Sequence, residues 1–536
     1  MTSVDGRVPA AGPDDDEQRP TDRRSSFTEG AAFGVLSFAA MVVVGLATAV
    51  VTARGYGIHV LGELALATAP TGAVWFLSTV REQPALVREL VTLPHRSPRI
   101  TGLWSAVFAF SFSLTLIVSL LVLGVTVILF HGPIPHPELI GPAAANLGGY
   151  LLITNTCWNL DTILTSFRDG RQLFWIRLHQ AILYLVLAIG GAIAFGTVSA
   201  LIAATIASWA SALVHRLLVI RRWMPVPVPR SEIRAGFRAL PEMLRFGLRV
   251  TPGAIAEGAS NETGTWTLGL VGTIAEVGAY SRAWTLSRRF VELNWRIAEM
   301  LFPTLVESYG RNDKHRFDGV LVDTLRYVAV GMLLGAAVGG GAARDVMAVF
   351  GPGFTRASGA LGLLLAVPAL ATLSTSSNCA HMARGRPWLT TQILTVRLVA
   401  TLVAVPLLTL ELGITGTALG LLVAYAVDNA IQLRLIGGYV STPMARLWRP
   451  REVVGLAVAC AVGFGSSRGM AALIPGAAGA LPALIVGTAF YVGAYLLVAG
   501  LAPQDRKRLQ RLRVWVRKTV PDRWLPQPAA VDQEVR

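Results

Sequence analysis

The chain has 536 residues, of which 53% are hydrophobic and only 15% charged, and it carries a formal charge of +15. A soluble domain of this size holds roughly a quarter of its residues as charges, so that class is excluded. Nucleic-acid binding, which +15 would suggest for a soluble protein, gives way to the Lys and Arg excess of cytoplasmic loops in membrane proteins. Cys157, Cys379 and Cys460 all fall in or beside apolar stretches and read as small core residues; no Cys/His cluster has metal-ligand spacing, and no cofactor is expected.

In chain order, residues 1–30 are polar with an acidic cluster and read as a disordered cytoplasmic tail. Apolar runs long enough to cross about 30 Å of hydrocarbon then recur to residue 501. They fall at 31–53, 60–80, 101–130, 139–163, 174–195, 198–219, 246–271, 276–306, 319–343, 355–379, 387–410, 413–436, 453–473 and 479–501, which we number as spans 1 to 14. The expectation is an all-α polytopic membrane protein of about fourteen transmembrane helices. Residues 220–245, rich in Arg and Pro, read as a cytoplasmic linker. The tail 502–536 contains QDRKRLQRLRVWVRK, either an amphipathic helix on an anionic leaflet or a solvated one.

Lys and Arg orient these spans. One side, counting the helix ends that abut its loops, holds 37 of the 47, and six lie within spans. The other side holds four: Arg54, Arg344, Arg356 and Arg468. That bias places both termini in the cytoplasm.

Three strings repeat at nearly one offset. LGELALA at 61–67 aligns with VGAYSRA at 277–283, and DGRQ at 169–172 with RGRP at 384–387. FGTVSALIAATIASWASALVHRLL from Phe195 aligns with LGITGTALGLLVAYAVDNAIQLRL from Leu412. An offset of six spans preserves orientation, so residues 31–219 and 246–436 are expected to form two six-helix lobes, with 453–501 as two appended helices.

Charges inside spans are the candidates for function, since each Asp, Lys or Arg near mid-bilayer costs about 2.5–3.5 kcal/mol on an insertion scale. Span 8 carries Arg282, Arg289, Glu292, Arg296 and Glu299 at spacings that put all five on one helix face. Either they neutralise each other in a salt ladder or they line a wet cavity that meets an anion. Three arginines against two acids favour the cavity. Span 7 adds Glu257, Asn261 and Glu262, which could pair with those arginines, hydrogen-bond a sugar, or (Glu257 and Glu262) hold a coupling ion; pairing is favoured. Arg54, Arg326 and Arg397 are further binding candidates. Motifs of soluble enzymes are absent and the outward loops are short, so no enzyme is expected and no catalytic residue is assigned.

EVGAYSRAWTLSRRF and LFPTLVESYGRND within 276–313, ARGYGIHVLGELALA at 53–67 and FGPGFTRA at 350–357 resemble the polysaccharide flippases of the multidrug/oligosaccharidyl-lipid/polysaccharide exporter superfamily. That resemblance implies flipping of a polyprenyl-diphosphate-linked oligosaccharide by alternating access, in a bacterial plasma membrane, for cell-surface polysaccharide synthesis. It implies diphosphate contacts for Arg282, Arg289 and Arg296, with Glu292, Glu257 and Asn261 tuning them or touching sugar. Expected partners are the lipid-linked glycan, membrane lipids, and the polymerase and glycosyltransferases of the same pathway. The alternatives are a drug/cation antiporter of the same superfamily and a non-transporting membrane scaffold.

Overall fold

The computed structural model describes residues 27–500 apart from 79–85, 88, 91–92, 94–96, 168, 222–223, 225–228, 249–250 and 439–449; the side chains of 27–39, 246, 292–297 and 299–300 also lie outside the description. Among the described residues all regular structure is helical. In order these are α1 (Phe27–Leu77), α2 (Pro98–His131), α3 (Ile140–Gly149), α4 (Asn155–Ser166), α5 (Gly170–Ala194), α6 (Val198–Ile220), α7 (Arg230–Leu248) and α8 (Thr251–Val271). There follow α9 (Ile274–Gly310), α10 (Lys314–Gly341), α11 (Ala343–Phe350), α12 (Ser358–Leu364), α13 (Val367–Ala383), α14 (Pro387–Gly437), α15 (Pro450–Leu473) and α16 (Ala477–Val498).

α2 shows why this is a membrane fold. Its buried side includes Ser111, Thr115, Ser119 and Thr126, while Leu121 is 67% and Ile128 70% exposed. A helix with hydroxyls inside and leucines outside is inverted relative to a soluble one, and it suits lipid. Three of these hydroxyls have acceptors: Thr115 Oγ1 donates to Ser111 O and Thr126 Oγ1 to Val122 O, both at 2.7 Å, and Ser111 Oγ donates to Asn155 Oδ1 at 3.1 Å.

Nine described helical runs are long and apolar enough to cross a membrane. One of them, Pro387–Gly437, has 51 residues and would measure about 76 Å as one rod, more than twice a bilayer core. It breaks at Gly413, as α1 breaks at Gly57 (φ 78, ψ 175). The expected loop at 54–59 is thus a single non-helical residue. Spans 4, 7 and 8 correspond to α3–α4, α8 and α9, which are helical but fall short of that test; Asn155, Asn159 and Asp161 on α4, and Glu257 and Glu262 on α8, dilute their apolarity. Residues 230–245 of the expected linker belong to α7, packed on α2 so closely that a Cβ on Gly236 would lie 2.1 Å from Gly102 O.

The aligned strings share backbone detail. Gly196 and Gly413, paired by the string alignment, have φ of 61° and 56°, a region that L side chains rarely enter, and each stands at a helix break. Gly62 and Gly278, also paired by that alignment, touch: a Cβ on Gly278 would lie 2.2 Å from Ile58 O and 3.3 Å from Gly62 Cα. Only a missing side chain on both helices permits that crossing.

By internal contact the chain forms two compact units, Met1–Arg282 with Pro387–Leu402, and Ala283–Arg386 with Val403–Arg536. In the first, Leu103, Val107, Ile163, Ile176 and Ile220 share a core of α2, α4, α5 and α6. In the second, Leu305, Leu321, Cys379 and Ile436 pack one core, and Val338, Ala459 and Tyr491 another.

Gly278→Ala pushes a methyl group into backbone and is expected to destabilise the protein by about 1–3 kcal/mol. Gly319→Ala, also within a helix but with open space at its Cβ, should leave stability equal or slightly raised. Thermal unfolding of the two purified variants, read by intrinsic fluorescence, compares them; an equal midpoint for Gly278→Ala would remove the close crossing.

Candidate functional site

In the first unit α8 carries the candidates Glu257, Asn261 and Glu262. This helix is made of small residues, and Gly253, Ala254, Ala256, Gly258 and Ser260 are buried along it. A Cβ on Gly258 would lie 1.8 Å from Phe76 Cγ, and one on Gly253 would lie 3.2 Å from Thr391 Cα. α8 therefore seats directly on the second rod of α1 and on the first part of α14. That seating sets Glu257 beside Arg397, with Arg397 Nη2 3.7 Å from Glu257 Oε1. The arginine side chain is 2% exposed and the glutamate 32%. The carboxylate offsets a guanidinium that is otherwise enclosed in the bundle.

One turn further on, Asn261 and Glu262 are half-buried. The Glu262 carboxyl lies against α1, its Cδ 3.2 Å from where a Cβ on Gly72 would stand. Both residues carry polar contacts of their own.

Arg282 differs from these. It stands on α9, half-buried, with its Nε enclosed and without a hydrogen-bond acceptor, and no carboxylate pairs with it among the described residues. The Tyr184 hydroxyl of α5, hydrogen-bonded to Thr205 of α6, lies within electrostatic range. An enclosed guanidinium is an always-charged, planar donor, and a bidentate phosphate or carboxylate oxygen pair is its natural complement.

The other candidates separate. Arg289 is exposed, as is Arg288 beside it. The side chains of Glu292, Arg296 and Glu299 lie outside the described residues, so the structure speaks for the Arg282 and Arg289 part of the stripe alone. Arg54 is exposed three residues before the break at Gly57. Arg326, in the second unit, pairs with Glu452 of α15 at 3.6 Å, side chains 12% and 6% exposed, and stacks near Tyr327. Of the named candidates the structure thus joins Glu257 with Arg397 directly, and ties Arg326 to a partner that sequence reading had not named.

Three further polar links were missed. Asp161 of α4 takes a bidentate pair from Arg216 of α6, at 2.7 and 3.1 Å. In the second unit Ser374 Oγ donates to Asp428 Oδ2 at 2.7 Å, and His381 meets Gln432 at 2.8 Å, both joining α13 to the second part of α14. The available signal was complementary charge at equal depth: a deep Asp161 and a deep Arg216 imply each other.

Comparison with known proteins places these features. Residues 103–338 match the family model described as polysaccharide biosynthesis protein. The probable low-salt glycan biosynthesis flippase Agl15 of Haloferax volcanii is 23% identical over 178 residues, 32% of this chain; the matched segment spans only 37% of that relative. In structure, the lipid II flippase MurJ in an inward closed conformation superposes with a TM-score of 0.63 at 14% identity, covering 87% of this chain and 98% of that one. An inward-facing multidrug resistance MATE family transporter of the MOP superfamily gives 0.54 at 17% identity, covering 77% and 96%. The last two likenesses establish the fold.

The double-mutant cycle tests the buried pair. Arg397→Met leaves Glu257 uncompensated and is expected to lose about 2–3 kcal/mol of stability. Adding Glu257→Gln should recover about 1 kcal/mol or more. Thermal midpoints of the four proteins give the coupling, and strict additivity would sever the pair. The chain is thus a helical, multi-pass membrane protein with the fold of the lipid II flippase MurJ and of a MATE family transporter, and residues 103–338 of it are similar to the polysaccharide biosynthesis family.

Proposed function

We propose that this protein flips a polyprenyl-diphosphate-linked oligosaccharide from the cytoplasmic to the outer leaflet, by alternating access, during cell-surface polysaccharide synthesis. Arg282 carries the reading: it is an enclosed cation with no acid paired to it among the described residues, in a fold shared with transporters. A diphosphate headgroup would give its Nε the acceptor it lacks, and Arg289 and Arg296 would extend the contact along the same helix. The polysaccharide family match and the glycan flippase relative support the same substrate class. In this reading fourteen spans cross a bacterial plasma membrane with both termini inside, in two repeats of six and a final pair. Glycosyltransferases would supply the lipid-linked glycan and a polymerase would consume it.

The drug/cation antiporter alternative shares the fold. It calls for an acidic binding site, whereas Glu257 has Arg397 beside it. Glu257 and Glu262 are the residues to examine for ion coupling.

In proteoliposomes, the protein should move a fluorescent polyprenyl-diphosphate oligosaccharide to the far leaflet, read by dithionite quenching. Arg282→Gln should slow it by at least about tenfold, an effect of about 1.4 kcal/mol, with Arg282→Lys retaining part of the rate. Arg289→Ala with Arg296→Ala should abolish polymer export in cells while the protein is still made. Normal lipid movement by Arg282→Gln would take that residue out of the mechanism; proton-coupled drug uptake without lipid movement would assign the antiporter instead.

A further inference from the structure

The orientation read from Lys and Arg leaves four cations on the outward side, and three of them meet at one place. In the second unit a cavity of about 1090 Å³ is lined by Arg344, Arg356 and Arg468. They come from three elements: Arg344 opens α11 just beyond the end of α10, Arg356 ends the 3₁₀ turn Pro352–Ala357, and Arg468 lies in the last turns of α15. These ends are held together independently of the arginines. Ser467 Oγ donates to Val338 O at 2.8 Å, the Gly476 amide donates to Asp345 Oδ1 at 2.9 Å, and a Cβ on Gly341 would lie 2.6 Å from Phe464 O.

Among the described residues no Asp or Glu lines the cavity, and no carboxylate pairs with any of the three arginines. All three are exposed. Arg356 Nε donates to Gly353 O at 3.1 Å, which anchors the guanidinium and leaves its two Nη groups for another acceptor. Below them the lining changes character: Leu333, Ala337, Leu363 and Phe464 present apolar surface. Gly340 and Gly362 keep the floor open, a Cβ on Gly362 standing 4.0 Å from Gly340 Cα. A cationic rim above an apolar trough at the end of membrane helices has the polarity of one lipid molecule, phosphate up and chain down.

We infer that this cavity is an outer-leaflet site for an anionic phospholipid, whose phosphate is held by Arg344, Arg356 and Arg468 and one of whose acyl chains lies on the floor formed by α10, α12 and α15. Three guanidinium groups bind a net-negative headgroup and disfavour a zwitterionic one, whose choline they repel. The site lies in one unit and does not involve Arg282 or the Glu257–Arg397 pair. The outer-leaflet placement rests on the topology proposed above.

Cys460 also lines the cavity, and it is half-buried where Cys157 and Cys379 are buried, so its alkylation reports occupancy. The full-length protein in detergent is treated with N-ethylmaleimide in the presence of phosphatidylglycerol, phosphatidylcholine or inorganic phosphate, and modified Cys460 is quantified by mass spectrometry. Phosphatidylglycerol at about ten times its Kd should slow alkylation roughly tenfold, and phosphatidylcholine or inorganic phosphate should not. Arg344→Gln with Arg356→Gln and Arg468→Gln should lose that protection, while the matching triple Lys variant keeps most of it. Because the three side chains are exposed, unliganded thermal midpoints should be unchanged; if the Gln variant fails to fold, the Arg356→Gln single variant is read in its place. Equal protection by phosphatidylcholine, protection by phosphate alone, or full protection in the Gln variant overturns the assignment. Labelling of Arg356→Cys, in a Cys460→Ala background, by an impermeant maleimide from the cytoplasmic side alone would overturn the outer-leaflet placement.

Discussion

A guanidinium or carboxylate in hydrocarbon needs a partner, because no water stands ready to solvate it. Much of this molecule follows from that constraint. It turns α2 inside out, with serines and threonines facing the bundle and leucines facing lipid. It joins Asp161 to Arg216, Arg397 to Glu257 and Arg326 to Glu452, each across different helices. It also makes the exceptions informative: an enclosed arginine with no acid beside it among the described residues of its unit is a place where a charged ligand fits.

Polar pairs deep in a membrane bundle contribute little net stability compared with apolar residues of the same size, yet removing one partner is expensive. Their use is geometric. The Arg216–Asp161 pair fixes α6 against α4, and the Asp428 and Gln432 contacts fix the second part of α14 against α13. Where close approach is needed without polarity, glycine does the work: Gly62 with Gly278, Gly102 with Gly236, Gly258 with Phe76.

Positions of most spans were legible in the sequence, because hydropathy depends on composition over about 20 residues and survives local detail. Gly196 and Gly413, which the string alignment pairs, both take a positive φ at a helix break. Partners were not legible. Glu257 was expected to meet the span 8 arginines next to it in sequence, and it meets Arg397 of span 11 instead, because glycines at 253 and 258 decide which neighbours α8 can approach. α7 escaped notice for a different reason: its apolar side, Leu240 and Met243 among it, is spread at helical spacing through a polar stretch, so a search for continuous apolar runs passes over it. The cationic cavity likewise assembles from residues 344, 356 and 468, whose only shared sequence property is the side of the membrane they were expected to occupy.

The Glu257–Arg397 contact has a consequence for biogenesis. The arginine is encoded about 140 residues after the glutamate. At ribosomal rates of about 5–20 residues per second, α8 reaches the membrane some 7–28 s before its counter-charge exists. During that interval a carboxylate that the finished protein neutralises must be sheltered by water, by the insertion machinery, or by its own protonation. Membrane integration of α8 is therefore a provisional step, completed only when the first part of α14 arrives beside it.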